Sequence, residues 1–435
     1  MLNSIIMRTI KRILFFLLFI PVLLKAYAQE NTESIKSQIS NNKDYDRVEK
    51  MALDILKTGF NAGDGYNQVW ARDLNTFIKF SCRVLPHKTV RDVLLNFFYF
   101  QGFDGNMIDG YEQVPPDYIV DNYAVFSRYD MPGYVFHKNT VETDQETSLI
   151  QAVYKYINET GDDDLLYEIV NGVSVIDRME LMLDFLMKHR YNKTYGLIWG
   201  ATTADWGDVQ PRHKWGVKLD ELSIPCIDIY DNAMMLIALD NFIELSNDNE
   251  RKIRWGNVYD SIKRNAREYL WDNENNKFKP HIYIRCEEFP GIDESEIYYH
   301  GGTIVAIEAG LLNKDEIQVS LQVMRNNVEA AGARSVGLTI YPPYPDGSFE
   351  NKGMNAYQYQ NGGDWTWFGA RLIPQLVKTG FIEEAIIELE PFIRRVIENN
   401  GFYEWYTIDG EPKGSGIFRG SAGVLLEAIE SLREY

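Results

Sequence analysis

Residues 233–239 read Ala233-Met234-Met235-Leu236-Ile237-Ala238-Leu239, apolar at every position. A helix that is apolar all round offers no face to water and belongs inside a protein. Residues 382–398 supply the contrast. There Glu383, Glu384, Glu388, Arg394 and Glu398 are expected to face water while the other side is apolar. Buried helices wrapped by amphipathic ones are what a double ring of helical hairpins requires. Working outward from this pair, helical periodicity predicts about a dozen helices, at 35–57, 74–84, 89–100, 175–188, 229–245, 251–271, 303–311, 314–327, 366–378, 382–398 and 420–432, with one more opened by Thr143-Asp144-Gln145-Glu146. That last tetrad has the spacing of a capping box. Strand-like alternation is sparse; 279–285 is the best candidate, as a hairpin set between helices. No tandem repeat or low-complexity linker divides the chain, which predicts an all-α fold in one domain over 29–435.

Three long segments lack a helical period: 102–142, 192–223 and 333–364. The first carries Asp104, Asp109, Asp117, Asp121 and Asp130 among many Tyr and Phe. Loops beyond about 12–15 residues in a compact domain are usually functional. These are expected to roof one end of the helical ring and form a pocket there.

Three acidic, aromatic patches fall in or beside such stretches: Trp70-Ala71-Arg72-Asp73, Thr203-Ala204-Asp205-Trp206-Gly207-Asp208, and Gly401-Phe402-Tyr403-Glu404-Trp405-Tyr406. A carboxylate beside indole or phenol rings suits a sugar, whose C–H faces lie on rings while its hydroxyls bond to acids. Glycosidic cleavage also needs two carboxyl groups, one protonating the leaving oxygen and one acting on the opposite face. Core packing is the competing account of any single Trp. For Asp144 and Glu146 the capping box is itself a sufficient account.

Composition agrees with a soluble, core-forming protein: 435 residues, 45% hydrophobic and 25% charged, with 27 Tyr, 22 Phe and 9 Trp. At the start, Arg8, Lys11 and Arg12 precede an apolar run over 13–24, and Ala26-Tyr27-Ala28 precedes Gln29. This pattern is a signal peptide at 1–28 and predicts export, to a periplasm or outside the cell. The run is too short to span a bilayer, which takes roughly 20 apolar residues, and no Cys follows the cleavage site to carry a lipid. Removing Arg8, Lys11, Arg12 and Lys25 takes the net charge from −19 to about −23. Such a surface repels nucleic acid and anionic membranes and favours neutral or cationic ligands. Cys82, Cys226 and Cys286 allow one disulfide at most. The six His form no zinc pattern, and no GxSxG, P-loop or dinucleotide fingerprint is present. Asp104-Gly105-Asn106 is a weak calcium hint. No metal and no cofactor are expected.

In their order along the chain these motifs resemble those of the six-hairpin, (α/α)6-barrel glycosidases: glucoamylase, processing α-glucosidase, trehalase, neutral invertase and amylo-α-1,6-glucosidase-like proteins. The resemblance spans most of the chain after residue 28, although only short stretches match. It implies an (α/α)6 barrel that cleaves an α-linked, glucosidic bond of an oligosaccharide with inversion. Trp70, Arg72 and Asp73 are similar to the Trp-x-Arg-Asp that holds the terminal sugar. Residues 139–151, with Asp144, resemble the helix start behind a substrate loop. Asp205 and Asp208 flank Trp206 where such enzymes carry the general acid, and either fits. Asp208 matches an Asp-Trp-x-Asp spacing, and Asp205 matches trehalase-like motifs. Glu404, with Trp405 and Tyr406, looks like the motif of the general base. Asp364 and Trp365 are expected to floor the sugar site, and Arg419 opens the last helix. Two other readings stand beside this one: a non-catalytic glycan-binding protein, and another enzyme on the same barrel, such as a phosphorylase, uronyl hydrolase or lyase.

Overall fold

The computed structural model describes residues 32–115, 117–120, 125–127, 131–285, 289 and 292–435. The signal peptide expected at 1–28, with Asp121, Asp130 and Cys286, lies outside these residues. Thirteen helices appear among them: α1 (32–40), α2 (Lys43–Leu56), α3 (Ala71–Val84), α4 (His87–Phe100), α5 (Asp144–Thr160), α6 (Val175–His189), α7 (Ile229–Leu245), α8 (Asn249–Asn265), α9 (His300–Glu308), α10 (Lys314–Ala331), α11 (Thr366–Thr379), α12 (Ile382–Asn399) and α13 (Arg419–Arg433).

The odd-numbered helices from α3 to α13 each pack on the next, and α13 closes back on α3. This is a ring of six. The even-numbered helices α2 to α12 lie outside it, each against an inner neighbour. The arrangement is an (α/α)6 barrel of six outer–inner hairpins. The apolar stretch 233–239 belongs to the inner helix α7, and the amphipathic 382–398 to the outer helix α12, as their patterns require. Within α12 Glu388 departs from expectation. It is buried and paired with Arg325 of α10 at 2.6 Å, an inter-helix contact that helical periodicity does not encode.

Local signals explain several boundaries. The helix expected over 35–57 is two, because Asn42 turns the chain and its side chain accepts from the N–H groups of Asp44 and Tyr45. The capping box expected at Thr143 does not form: the Thr143 hydroxyl makes no cap bond, and Glu146 accepts instead from the Met107 N–H at 3.0 Å. A capping box does open α10, where Asn313 and Glu316 bond each other's backbone N–H groups. Such a cap contributes about 1 kcal/mol. The helix expected over 251–271 ends at Asn265, runs through a single π turn and becomes a strand at Trp271–Asp272.

Sheet structure is richer than the sequence suggested. Strands β1 (Val69–Trp70), β2 (Gly110–Gln113), β3 (Val125–Ser127) and β4 (Tyr134–His137) form an antiparallel sheet in the order β1-β2-β4-β3, with Trp70 opposite Gly110 and Gly110 opposite His137. This sheet stands at the end of the barrel where the inner helices begin. The hairpin expected at 279–285 is present only as Ile282–Tyr283, paired with Pro225–Ile227 rather than with itself. Cys82 and Cys226 are buried free thiols.

Candidate active site

The loops before the inner helices enclose a cavity of about 450 Å³. Arg72 and Asp73 enter it from the first turn of α3, Trp367 from the first turn of α11, Glu142 from just before α5, and Phe418 from just before α13. Helix N-termini carry partial positive charge, which favours carboxylates at this end of the ring.

Of the residues the sequence singled out, Trp70, Arg72, Asp73, Trp206, Asp208, Trp365 and Glu404 line the cavity. Trp206 and Trp365 meet edge to face with centroids 4.8 Å apart, and Trp367 joins them at 5.7 Å from Trp206. Together they form an aromatic floor. Glu404 is buried and accepts a hydrogen bond from the Tyr66 hydroxyl at 2.9 Å. Burial pushes its pKa up to about 7; the Tyr66 bond opposes this and the charge of Asp208 adds to it. Gly414, at φ +72°, makes room for that carboxylate, since a Cβ there would stand 2.3 Å from Glu404 Oε2. Asp208 is fixed by Gln360, whose side-chain amide donates to Oδ1 at 3.0 Å. Gly207 serves that contact: a Cβ on it would lie 2.5 Å from Gln360 Oε1.

Behind these two lies an acidic wall. Arg72 faces Asp144 at 3.0 Å, Glu142 at 3.2 Å and Asp109 at 3.8 Å. One guanidinium therefore serves three carboxyl groups. Burial raises Asp109 to about 6 against the pull of Arg72, and raises Glu142 as well. Asp73 rises to about 7, again by burial. Asp73 Oδ1, Asp109 Oδ1 and Glu142 Oε1 are buried without a hydrogen-bond partner. A buried polar atom left without a partner costs about 1–3 kcal/mol, so this wall carries an uncompensated cost.

The other sequence candidates lie outside the cavity lining. Asp205, held at φ +55°, turns to the start of α9, where its carboxylate accepts from the Gly302 N–H at 2.9 Å. Burial raises it to about 8, with those backbone bonds pulling the other way. Asp144 is fully buried behind Arg72 and accepts from the Tyr230 hydroxyl at 2.8 Å. Asp364 sits behind Trp365, bonded to Ser335 at 2.7 Å and Arg395 at 2.7 Å. Tyr406 packs under the Arg395 guanidinium, and the half-buried Trp405 ring lies against Tyr359. Arg419 bonds Asn61 and Thr58. These six support the site's frame rather than its surface.

The structure adds Tyr66, Asp109, His137, Lys138, Glu142, Trp215, Tyr359, Gln360 and Trp367 to the lining. The signal for Asp109, His137 and Lys138 was the long aperiodic segment that contains them. Trp215 and Gln360 likewise lie in the second and third such segments, Gln360 just ahead of the stretch 361–365 that carries Asp364 and Trp365. Asp104 accepts from the Asn106 N–H in a local turn, and no group of three or more metal-ligating side chains occurs among the described residues.

No family model matches this chain, and no curated protein does. Solved structures do match in fold. The chain is similar to a GH63 mannosylglycerate hydrolase from Thermus thermophilus in complex with glucose, at 15% identity and TM-score 0.63 over 87% of this chain and 99% of that one. It is also similar to a rhamnosidase from Klebsiella oxytoca with rhamnose bound, at 14% identity and TM-score 0.57 over 90% of this chain and 64% of that one. Likeness at this identity establishes the shared barrel.

Proposed function

We propose that the protein is an exported, inverting glycoside hydrolase acting on an α-linked, uncharged sugar, with Asp208 as general acid and Glu404 as general base. One observation carries this reading: two carboxyl groups from distant loops line a cavity floored by Trp rings and walled by carboxylate oxygens that lack hydrogen-bond donors. The glycosidase names attached to the two structural neighbours support it.

In the reaction Asp208 delivers its proton to the glycosidic oxygen as the bond from that oxygen to the anomeric carbon breaks. Glu404 takes a proton from a water whose oxygen bonds to the same carbon from the opposite face. The products are the sugar with inverted configuration and the free alcohol, and the two carboxyl groups reset by exchange with solvent. Asp73, Asp109 and Glu142 accept hydroxyls of the bound ring, and Arg72 holds that wall together.

A phosphorylase or a uronate-acting enzyme needs cationic capacity for its anion. Arg72 and Lys138 are the Arg and Lys side chains of the lining; Arg72 is engaged by carboxylates, and Lys138 donates to the Met107 carbonyl, Gln145 and Glu146. Burial lowers the pKa of His137, the other basic side chain there. A neutral substrate is therefore favoured. Export rests on the sequence of residues 1–28, and a secreted product beginning at Gln29 is the outcome that N-terminal mass mapping checks.

Proton NMR of the protein mixed with α-glucosides, α-mannosides and trehalose tests the function. From the α-glucosides and α-mannosides the β-anomer is expected first, from trehalose equal amounts of both anomers, and neither from Glu404→Gln. First appearance of the α-anomer from those glucosides or mannosides would exclude inversion, and binding without turnover would favour a glycan-binding protein. The raised pKa of Glu404 favours a second reading in which the two roles are exchanged. Glycosyl fluorides decide between them, because fluoride departs without a general acid. With the roles as proposed, Asp208→Asn loses far more on glycosides than on fluorides, while Glu404→Gln loses on both.

A further inference from the structure

Trp215 stands apart from the other tryptophans of the cavity. It is 48% exposed, whereas Trp206 and Trp365 are 3% and 2% exposed. It sits seven residues after Asp208 on the same loop. Its ring lies at 6.1 Å and 35° from Tyr359, which is half-buried and lines the same cavity as Asp208 and Glu404. The loop is pinned: the Gln210 side chain donates to the carbonyls of Gly216 and Lys218, and Thr140 bonds both Val217 and Leu219. A large apolar ring is thus held half in water in the lining of the cavity that also holds the group assigned as acid.

Because a general acid protonates the leaving oxygen, the leaving group must lie next to Asp208. We infer that Trp215, backed by Tyr359, is the platform for that leaving group, and that the leaving group is a neutral sugar ring rather than a small carboxylic acid. The inference rests on the proposed hydrolase reading. It commits the substrate to a disaccharide or longer glycan trimmed at one end. The ring face offers the C–H side of a pyranose a flat apolar contact. An acid such as the glycerate in the neighbour's name would instead need a cation, and the lining's Arg72 and Lys138 already hold other partners.

The test compares wild type, Trp215→Ala and Trp215→Phe on three probe sets: α-glucosyl and α-mannosyl fluoride, α-linked glucobioses and mannobioses, and glucosyl- and mannosylglycerate. Wild type is expected to prefer a disaccharide over the glycerate conjugate of the same sugar. Trp215→Ala should lower the disaccharide-to-fluoride ratio of kcat/KM about tenfold, mainly through KM, the size expected for losing one good aromatic contact. Trp215→Phe should restore part of the ratio. An unchanged ratio with fluorides still hydrolysed would overturn the platform alone, as would preference for a glycerate conjugate. Absence of turnover on every fluoride and glycoside would overturn the hydrolase reading and the platform together.

Discussion

The two ends of the barrel treat buried charge in opposite ways. At the end where the inner helices finish, a second cleft is lined by Lys79, Lys155, Glu308, Arg371 and Glu427, among others. Most charges there are matched: Lys79 meets Glu427 at 3.0 Å and Glu430 at 2.5 Å, and Arg371 meets Glu308 at 2.8 Å, while Lys155 donates only to the Asn75 carbonyl at 2.8 Å and burial lowers it to about 8. Where the inner helices begin, one arginine answers three carboxyl groups, and several carboxylate oxygens have no partner. Both ends are built from the same helices. What separates them is the surplus of acid, which is costly without a ligand and useful with one. Charge is mostly paired at the one end, and acid is in surplus at the end that holds the cavity.

Variants can break this contrast, beginning with the catalytic pair. Asp208→Asn and Glu404→Gln should each lower glycoside turnover by about 10²–10⁴-fold, with a melting temperature close to wild type. A matching collapse in stability would instead make them framework residues. Arg72→Met leaves the acidic wall uncompensated, so urea unfolding should show a loss of about 3–5 kcal/mol, the cost of stranding buried partners. Asp205→Ala should cost about 1–3 kcal/mol by orphaning the Gly302 N–H. Asp205→Asn, which tolerates the same backbone and keeps an acceptor, should remain active and folded.

Acidification sharpens the contrast through the raised carboxyl groups. In the folded state Asp73 and Glu404 titrate near 7, against an ordinary carboxylate value near 4. The native protein therefore keeps protons that the unfolded chain has released. Their contribution to stability is fully present below about pH 4 and is lost as pH rises through about 7. Melting temperature should rise from pH 8 to pH 5, with a smaller rise in Glu404→Gln. Over the same range kcat/KM should fall, because Glu404 must be ionised to act as base. The smallest effect belongs to the opposite end: Lys79→Ala should cost less than about 1 kcal/mol and leave turnover unchanged, since its ion pairs are partly open to water.

The barrel was legible because its evidence is local. Apolar residues all round 233–239 and a one-sided stripe along 382–398 follow from a 3.6-residue period, and nothing distant is needed to read them. The same holds for Trp70-Ala71-Arg72-Asp73 and Glu404, whose aromatic neighbours lie beside them in the chain. The four-stranded sheet escaped notice because its strands are two to four residues long, and pairing Trp70 with Gly110 spans a whole hairpin. Trp215 escaped because its loop has no period and its motif ends at Asp208, seven residues before it.

Sequence by itself thus determined that the fold is mostly helical, which of two helices is buried and which amphipathic, the acidity of the chain and the three motifs whose residues line the cavity. It favoured Asp208, for its Asp-Trp-x-Asp spacing, and kept Asp205 open beside it. Only tertiary structure separated them, for a physical reason: the backbone at Asp205 is left-handed and hands its carboxylate to Gly302, 97 residues away, while Gln360, 152 residues away, holds Asp208 at the cavity. Direction of a side chain in a loop is set by partners that the loop's own sequence does not contain.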